Sequence, residues 1–395
     1  MNSWFTRAAA LAGGACFALS LSGCRPHDFP QYPAGYREYA YVTNGGSATV
    51  SVFDVVNLRL DRELAVGQNP VAVAVSPTRN EVYVVSRGAE AGNGSLAVID
   101  ATKNAVVATV QLAKQPVSVD LDADGNFAYV ANSGSNQVSV VDLKARAEVA
   151  RIGVGEQPAA ARIAPDGKTL VVANRASNSV TLIDPASRSV RASFTGCPGA
   201  AEATLLQDAS KAFVACSGGH QVMVLQLART AQAATAKAPA VTARPDRLES
   251  LLDVGRQPVH LALKPDGGEI FASNLASDTI SEIYDSSDEV GDTYTIGDGP
   301  AGSIVSADNS LLYVANSRSQ YVTVYSIDDG KRRGSVQVGD GPVAMAFSKS
   351  GHLLFAVDQR SGDVALIRTS SRSLFTLLPA GRSPNAIAIK SFSAQ

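Results

Sequence analysis

The chain is short of charge, histidine and tryptophan, and each shortage closes off a class of function. Only 18% of residues are charged, and 34 Lys+Arg against 36 Asp+Glu leave a net charge of −2. A protein that grips nucleic acid needs a basic field that this balance does not supply. The four histidines, His27, His220, His260 and His352, fall at different positions of the repeat described below, so no histidine-rich metal cage is expected. There is no Cys-x-x-Cys-His haem attachment, His-Glu-x-x-His, Gly-x-Ser-x-Gly or phosphate loop, and no metal or cofactor is expected. The sole tryptophan, Trp4, lies near the N-terminus, so the recurring Trp-Asp pair of WD40 blades is missing too.

What the chain has instead is repetition. Tyr129-Val130-Ala131-Asn132 returns in variant form at residues 41–44, 83–86, 171–174, 213–216, 271–274, 313–316 and 355–358, at spacings of 42, 46, 42, 42, 58, 42 and 42. A period of that size marks one supersecondary unit per copy. Within a copy, alternating apolar runs flank turns such as Asp124-Gly125, Pro165-Asp166-Gly167 and Pro265-Asp266-Gly267, a hairpin signal. A second loop follows, then Val138-Ser139-Val140-Val141-Asp142 and a last run near 147–154, which makes four antiparallel strands. The fold class is therefore all-β: one β-propeller of four-stranded antiparallel blades in a single domain.

Eight tetrads predict eight blades; seven would leave one well-formed repeat outside the ring. In most copies a proline stands thirteen residues before the tetrad. Thirteen before Tyr41 is Asp28, in a proline-rich segment, whereas Pro384 has no tetrad after it. Residues 383–390 are thus expected to complete the blade built from 38–66 and so close the ring. The proline belongs to a Gly-x-x-Pro element at 67–70, 155–158, 255–258, 297–300, 339–342 and 381–384, with Ala113 to Pro116 as a variant. It reads as turn chemistry between blades. Two insertions break the period: four extra residues within 87–94, and sixteen within 228–250 that read as a solvated flap.

At the N-terminus Arg7 precedes an apolar run, Ala8 to Leu21, too short to span a bilayer but suited to a secretory signal. Its end, Leu21-Ser22-Gly23-Cys24, resembles the bacterial lipobox. That resemblance implies a signal peptide over 1–23 and a lipidated Cys24; three prolines that cannot donate to a β-ladder make 24–36 a tether, and the propeller domain is expected over 37–395. Arg25 after the cysteine, by similarity to enteric lipoproteins, implies the outer membrane, facing the periplasm or the cell surface. The tetrads, the Gly-x-x-Pro elements and the Ser-Asn-x-Val-x-Val-Ile/Val-Asp runs together resemble the YVTN-repeat β-propeller family over roughly 37–390. The family is defined by its blades, so the resemblance implies a fold and no activity.

Candidate site residues come from the inner strands. Counted from each proline, offsets +1, +3 and +5 are mostly Val, Leu or Ile, while +2 and +4 are mostly small, as at Ala72, Ala74, Ala160, Gly302 and Ala344. Against that background stand Ser118, Asp120, Arg162, Glu202, Thr204 and His260. Either Asp120 and Glu202 hold Arg162 as a structural plug, or Arg162 anchors an anionic ligand with His260 as acid or base. Cys197 and Cys216 are candidates for a disulfide in an oxidising compartment. Hairpin register pairs Cys216 with Ala201, so the loop must fold back to bring the two together. Two function classes follow: a lipid-anchored, monomeric binding or scaffold protein for an envelope protein or small molecule, or a periplasmic channel enzyme similar to propeller lactonases or to eight-bladed proteins that handle modified haem.

Overall fold

A computed structural model describes residues 30–90, 92–229 and 242–393. The signal sequence 1–23, Cys24, the start of the tether and residues 230–241 of the long insertion lie outside the described residues. Among the described residues, 32 strands form eight antiparallel sheets of four. Seven sheets are contiguous in the chain; the eighth joins Tyr36–Asn44, Thr49–Asp54 and Arg59–Ala65 to the C-terminal strand Pro384–Ser393. The eight-bladed ring and its closure are as the repeat arithmetic required. Blades are numbered here from the N-terminus, so blade 1 is the composite one. The first blade strand starts at Tyr36, one residue inside the expected tether. Strand Arg247–Asp253 takes the last residues of the stretch read as a flap. No helix among the described residues is long and apolar enough to cross a membrane.

Second and third strands are buried except at their ends, as in Phe127–Asn132 and Gln137–Asp142, whereas outer strands such as Ala147–Gly153 are mostly exposed. The reason is position: the middle strands have a neighbouring strand at each edge and a neighbouring blade on each face. The core is accordingly eight apolar clusters, one between each pair of adjacent blades. The aromatic that opens a tetrad is the largest contributor, with Tyr41, Tyr83, Phe213, Phe271 and Phe355 no more than 1% exposed. Burying each such ring contributes about 1.5–3 kcal/mol.

The two repeated motifs meet. An added Cβ on Gly155 would lie 2.8 Å from Asn174, on Gly255 2.6 Å from Asn274, and on Gly381 2.7 Å from Asn44. The linker glycine is therefore required by the asparagine that ends the next tetrad. That asparagine is fully buried and ties the second strand to the third: Asn174 Nδ2 donates to Thr181 Oγ1 at 2.9 Å, Asn274 to Ser281 Oγ at 3.0 Å and Asn316 to Thr323 Oγ1 at 2.9 Å.

Every continuous blade carries a bulge just after the proline position: Pro158 pairs with Asn174 but Ala160 with Ala173, so Ala159 has no partner. In blade 5 this shifts the expected register, and Cys216 pairs with Ala200 because Ala201 is the bulged residue. The +1 residues therefore leave the ladder and turn toward the ring axis, contrary to the alternation expected from sequence. Beyond the bulge the alternation holds. Offsets +3 and +5 face the preceding blade, as Ala161 and Ile163 do; +2 and +4 face the following one, as Ala72 and Ala74 do.

Candidate functional site

The inner strand of a blade has one edge without a strand to pair with, and a bare edge is a liability. Small side chains at +2 let the following strand approach: a Cβ on Gly302 would sit 2.7 Å from the Val343 carbonyl. Two polar residues at these offsets reach that neighbouring backbone. Ser118 Oγ accepts from the Ala161 N–H at 3.1 Å, and Asp120 Oδ2 from the Ile163 N–H at 3.0 Å. One edge thus receives side-chain partners in place of a strand.

The remaining polar side chains continue this belt around the ring. Arg162 of blade 4 lies 3.4 Å from Glu202 of blade 5, whose other oxygen lies 2.8 Å from Nδ1 of His260 in blade 6. His260 Nε2 is 2.9 Å from the Ser303 carbonyl of blade 7. Both partners of the imidazole are acceptors, and only the doubly protonated ring can donate to both. Burial presses the His260 pKa down, but the Glu202 charge and hydrogen bond and the Ser303 carbonyl outweigh it, and the ring titrates above its ordinary 6.5. Burial likewise works against Glu202, yet His260 and then Arg162 hold its carboxyl below 4.5.

Sequence reasoning paired Arg162 with both acids, and the structure corrects half of that. Asp120 makes no ion pair with Arg162; its carboxylate is taken by the backbone N–H groups of Ile163 and of its own neighbour Leu121 at 3.0 Å each. Burial leaves its pKa raised, with the Arg162 charge and those donors offsetting only part of the effect. Thr204, on the same face as Glu202, is not part of the network and does not line the cavity at the axis. That cavity holds about 450 Å³ and is walled by inner strands of seven blades, with Arg162, Glu202 and His260 as its charged groups. Their side chains keep 21–30% of their exposure, so they are wet on one side.

Sequence reading missed Asn385, which donates to the Pro70 carbonyl at 3.0 Å and accepts from Thr43 at 2.6 Å across the ring-closing seam. Its signal was a polar residue at +1, a position whose turn toward the axis follows from a bulge and not from alternation. The disulfide does form: Cys197 and Cys216 are bonded, with Cα atoms 4.8 Å apart.

These features define an eight-bladed β-propeller with an ion-paired belt around its axis. The chain belongs to the YNCE-like β-propeller family, whose model matches residues 123–351, and a seven-bladed lactonase propeller model matches residues 38–154. The uncharacterized protein YncE of Salmonella typhi is 38% identical over 98 residues, 25% of this chain and 26% of the relative. YncE of Salmonella typhimurium matches to the same extent, so the chain spans about a quarter of the length of these curated relatives. Among solved structures, the dihydro-haem d1 dehydrogenase NirN matches 91% of this chain and 76% of its own at TM-score 0.67 and 16% identity. Hydrazine synthase of Kuenenia stuttgartiensis matches 76% of this chain and 96% of its own at TM-score 0.55 and 21% identity. Both likenesses describe the fold.

Proposed function

We propose that the protein is a lipid-anchored extracytoplasmic β-propeller that acts as a binding or scaffold protein, held in the outer membrane by a lipidated Cys24. One observation carries the reading: the charged groups of the channel are engaged with one another and with the neighbouring backbone. A channel enzyme would need an acid, base or nucleophile free to meet a substrate. His260, the histidine on the channel wall, has both ring nitrogens committed, to Glu202 and the Ser303 carbonyl. For the same reason the channel does not fit a haem that takes an axial histidine, although the structurally similar NirN handles a modified haem. The belt is a strut, and the loop faces are where a small molecule or an envelope protein would dock.

Two measurements test this. A radiolabelled fatty acid should mark the wild type and not Cys24→Ser; equal labelling of both would remove the anchor. Arg162→Ala and His260→Ala should lower thermal stability while leaving unchanged the set of envelope components that co-purify with the anchored protein. Loss of a component without loss of stability would move the site into the channel.

A further inference from the structure

The loop between second and third strands begins, immediately after each tetrad, with Gly45, Arg87, Ser133, Arg175, Ser217, Leu275, Ser317 or Gln359 in blades 1 to 8. Cations occupy this position in blades 2 and 4 alone, and both belong to the lining of a single cavity over the inner end of blade 3. The cavity holds about 300 Å³ and has Val117, Pro158 and Ala159 as its apolar floor. Val117 and Ala159 also line the axial channel, so the cavity is the channel's mouth on this face.

Neither arginine has a carboxylate within 4.0 Å among the described residues, whereas Arg360 has one, pairing with Asp340 at 2.7 Å. Arg87 is half-buried, and its Nε is buried without a hydrogen-bond partner. Leaving a guanidinium N–H unsatisfied is costly, and placing a second guanidinium nearby adds to the cost. Burial and then the Arg175 charge both press on the protonated form of Arg87. The insertion of blade 2 holds the arrangement in place: Gln115 Nε2 donates to the carbonyls of Ala89 and Glu90 at 3.0 Å each, which pins the loop that Arg87 opens. Two unpaired guanidinium groups around a concave site of this size, at the small end of ligand pockets, suit an oxyanion that takes paired N–H donors.

We propose that Arg87 and Arg175 form a two-armed clamp for a small carboxylate- or phosphate-bearing molecule at the mouth of the channel. The clamp gives a ligand class to the binding role proposed above and rests on that reading. Its net charge is local, which is why the near-neutral composition of the chain does not reveal it.

The test is calorimetric titration of the full-length protein in detergent with inorganic phosphate and, separately, succinate, against sodium chloride of equal ionic strength. Saturable binding of at least one probe is expected, weakened tenfold or more by Arg87→Gln and by Arg175→Gln and unchanged by Arg318→Gln on the same face. Without anion, the Arg87→Gln/Arg175→Gln double variant should melt no lower than wild type, since its loss removes a repulsion. Should the Arg87 variant misfold, the exposed Arg175 variant alone decides. A wild type that binds neither probe, or a double variant that binds as well as wild type, overturns the clamp; the first result would leave a binding role for a protein partner standing.

Discussion

Cys197 and Cys216 occupy the two positions that are Gly155 and Asn174 in the preceding blade, and a covalent bond joins them where blades 1, 4, 6 and 7 use a close glycine–asparagine contact. The exchange has a reason further along the blade. Thr181 receives the Asn174 amide, whereas Met223 stands at the matching position in blade 5 and has no hydroxyl to offer. An asparagine at 216 would lose its main partner on the third strand, and the disulfide instead ties the end of the second strand to the linker.

The first prediction follows. Differential alkylation of the processed, unreduced protein should find Cys197 and Cys216 unreactive; two free thiols would refute the bond. With a sequence separation of 19 between the cysteines, removing it should cost about 3 kcal/mol. Replacing the pair by the pattern of blade 4, Cys197→Gly with Cys216→Asn, should be less stable than Cys197→Ala with Cys216→Ala by about 1 kcal/mol, because a buried amide is left short of a partner. Urea melts of the two double variants decide the order.

Asp358, like Ser86 and Cys216, departs from the tetrad asparagine. Burial, then the hydrogen bond with Asp363, push its pKa up to about 8. Its folded pKa is above its ordinary 3.8, so the fold favours the neutral acid: its contribution is intact below about pH 4 and is lost as pH rises toward 8. An asparagine would keep the acceptor for the Gly339 N–H, 2.9 Å away, and offer Asp363 a donor at every pH. Asp358→Asn should therefore raise stability at pH 8 by about 1–2 kcal/mol and change little at pH 4. A gain that is the same at both pH values would contradict the shared proton.

Ring closure gives the third. The C-terminal strand pairs with Tyr36–Asn44 from Tyr36–Ser393 to Asn44–Pro384, and buried Lys390 Nζ donates to the Ser76 carbonyl of blade 2 at 2.7 Å. Truncation before residue 383 strips both and opens an inner edge in blade 1. Thermal melts should show a lower, broader transition and new dye-accessible apolar surface. An unchanged melting temperature would mean that the ring does not depend on this strand.

The fold was legible in the sequence because the tetrad period, the Asp-Gly turns and the unmatched ends each constrain the whole ring. The candidate site was legible in part. Arg162, Glu202 and His260 stood out because the +2 and +4 positions around them are small, and the structure does bring these three together. Asp120 and Thr204 were grouped with them by the same alternation, which says which face a side chain takes but not whether a backbone N–H or another side chain reaches it first. Asn385, Arg87 and Arg175 escaped notice because a bulge and a loop place them, and strand alternation does not say where residues outside the ladder point.

The belt makes the fourth prediction. Glu202→Gln leaves Arg162 and His260 without their shared counter-charge and should cost about 1–3 kcal/mol. Because His260 has a raised pKa, the stabilisation that its charge gives is full below pH 6.5 and fades as pH rises through the folded value. The variant should thus approach the wild type in urea melts at pH 9 and fall furthest behind it near pH 6. A difference that widens with rising pH would contradict the pairing.

The claim that the channel is a strut and not a catalytic site rests on the state of one imidazole, and that state can be measured directly. In protein labelled with ¹⁵N-histidine, with His260→Gln as the assignment control, the two His260 nitrogens should both carry protons at pH 7 and lose one only at higher pH. A single-proton tautomer at pH 7, titrating near 6.5 with one nitrogen open to the channel, would contradict the account and return His260 to the list of acid–base candidates.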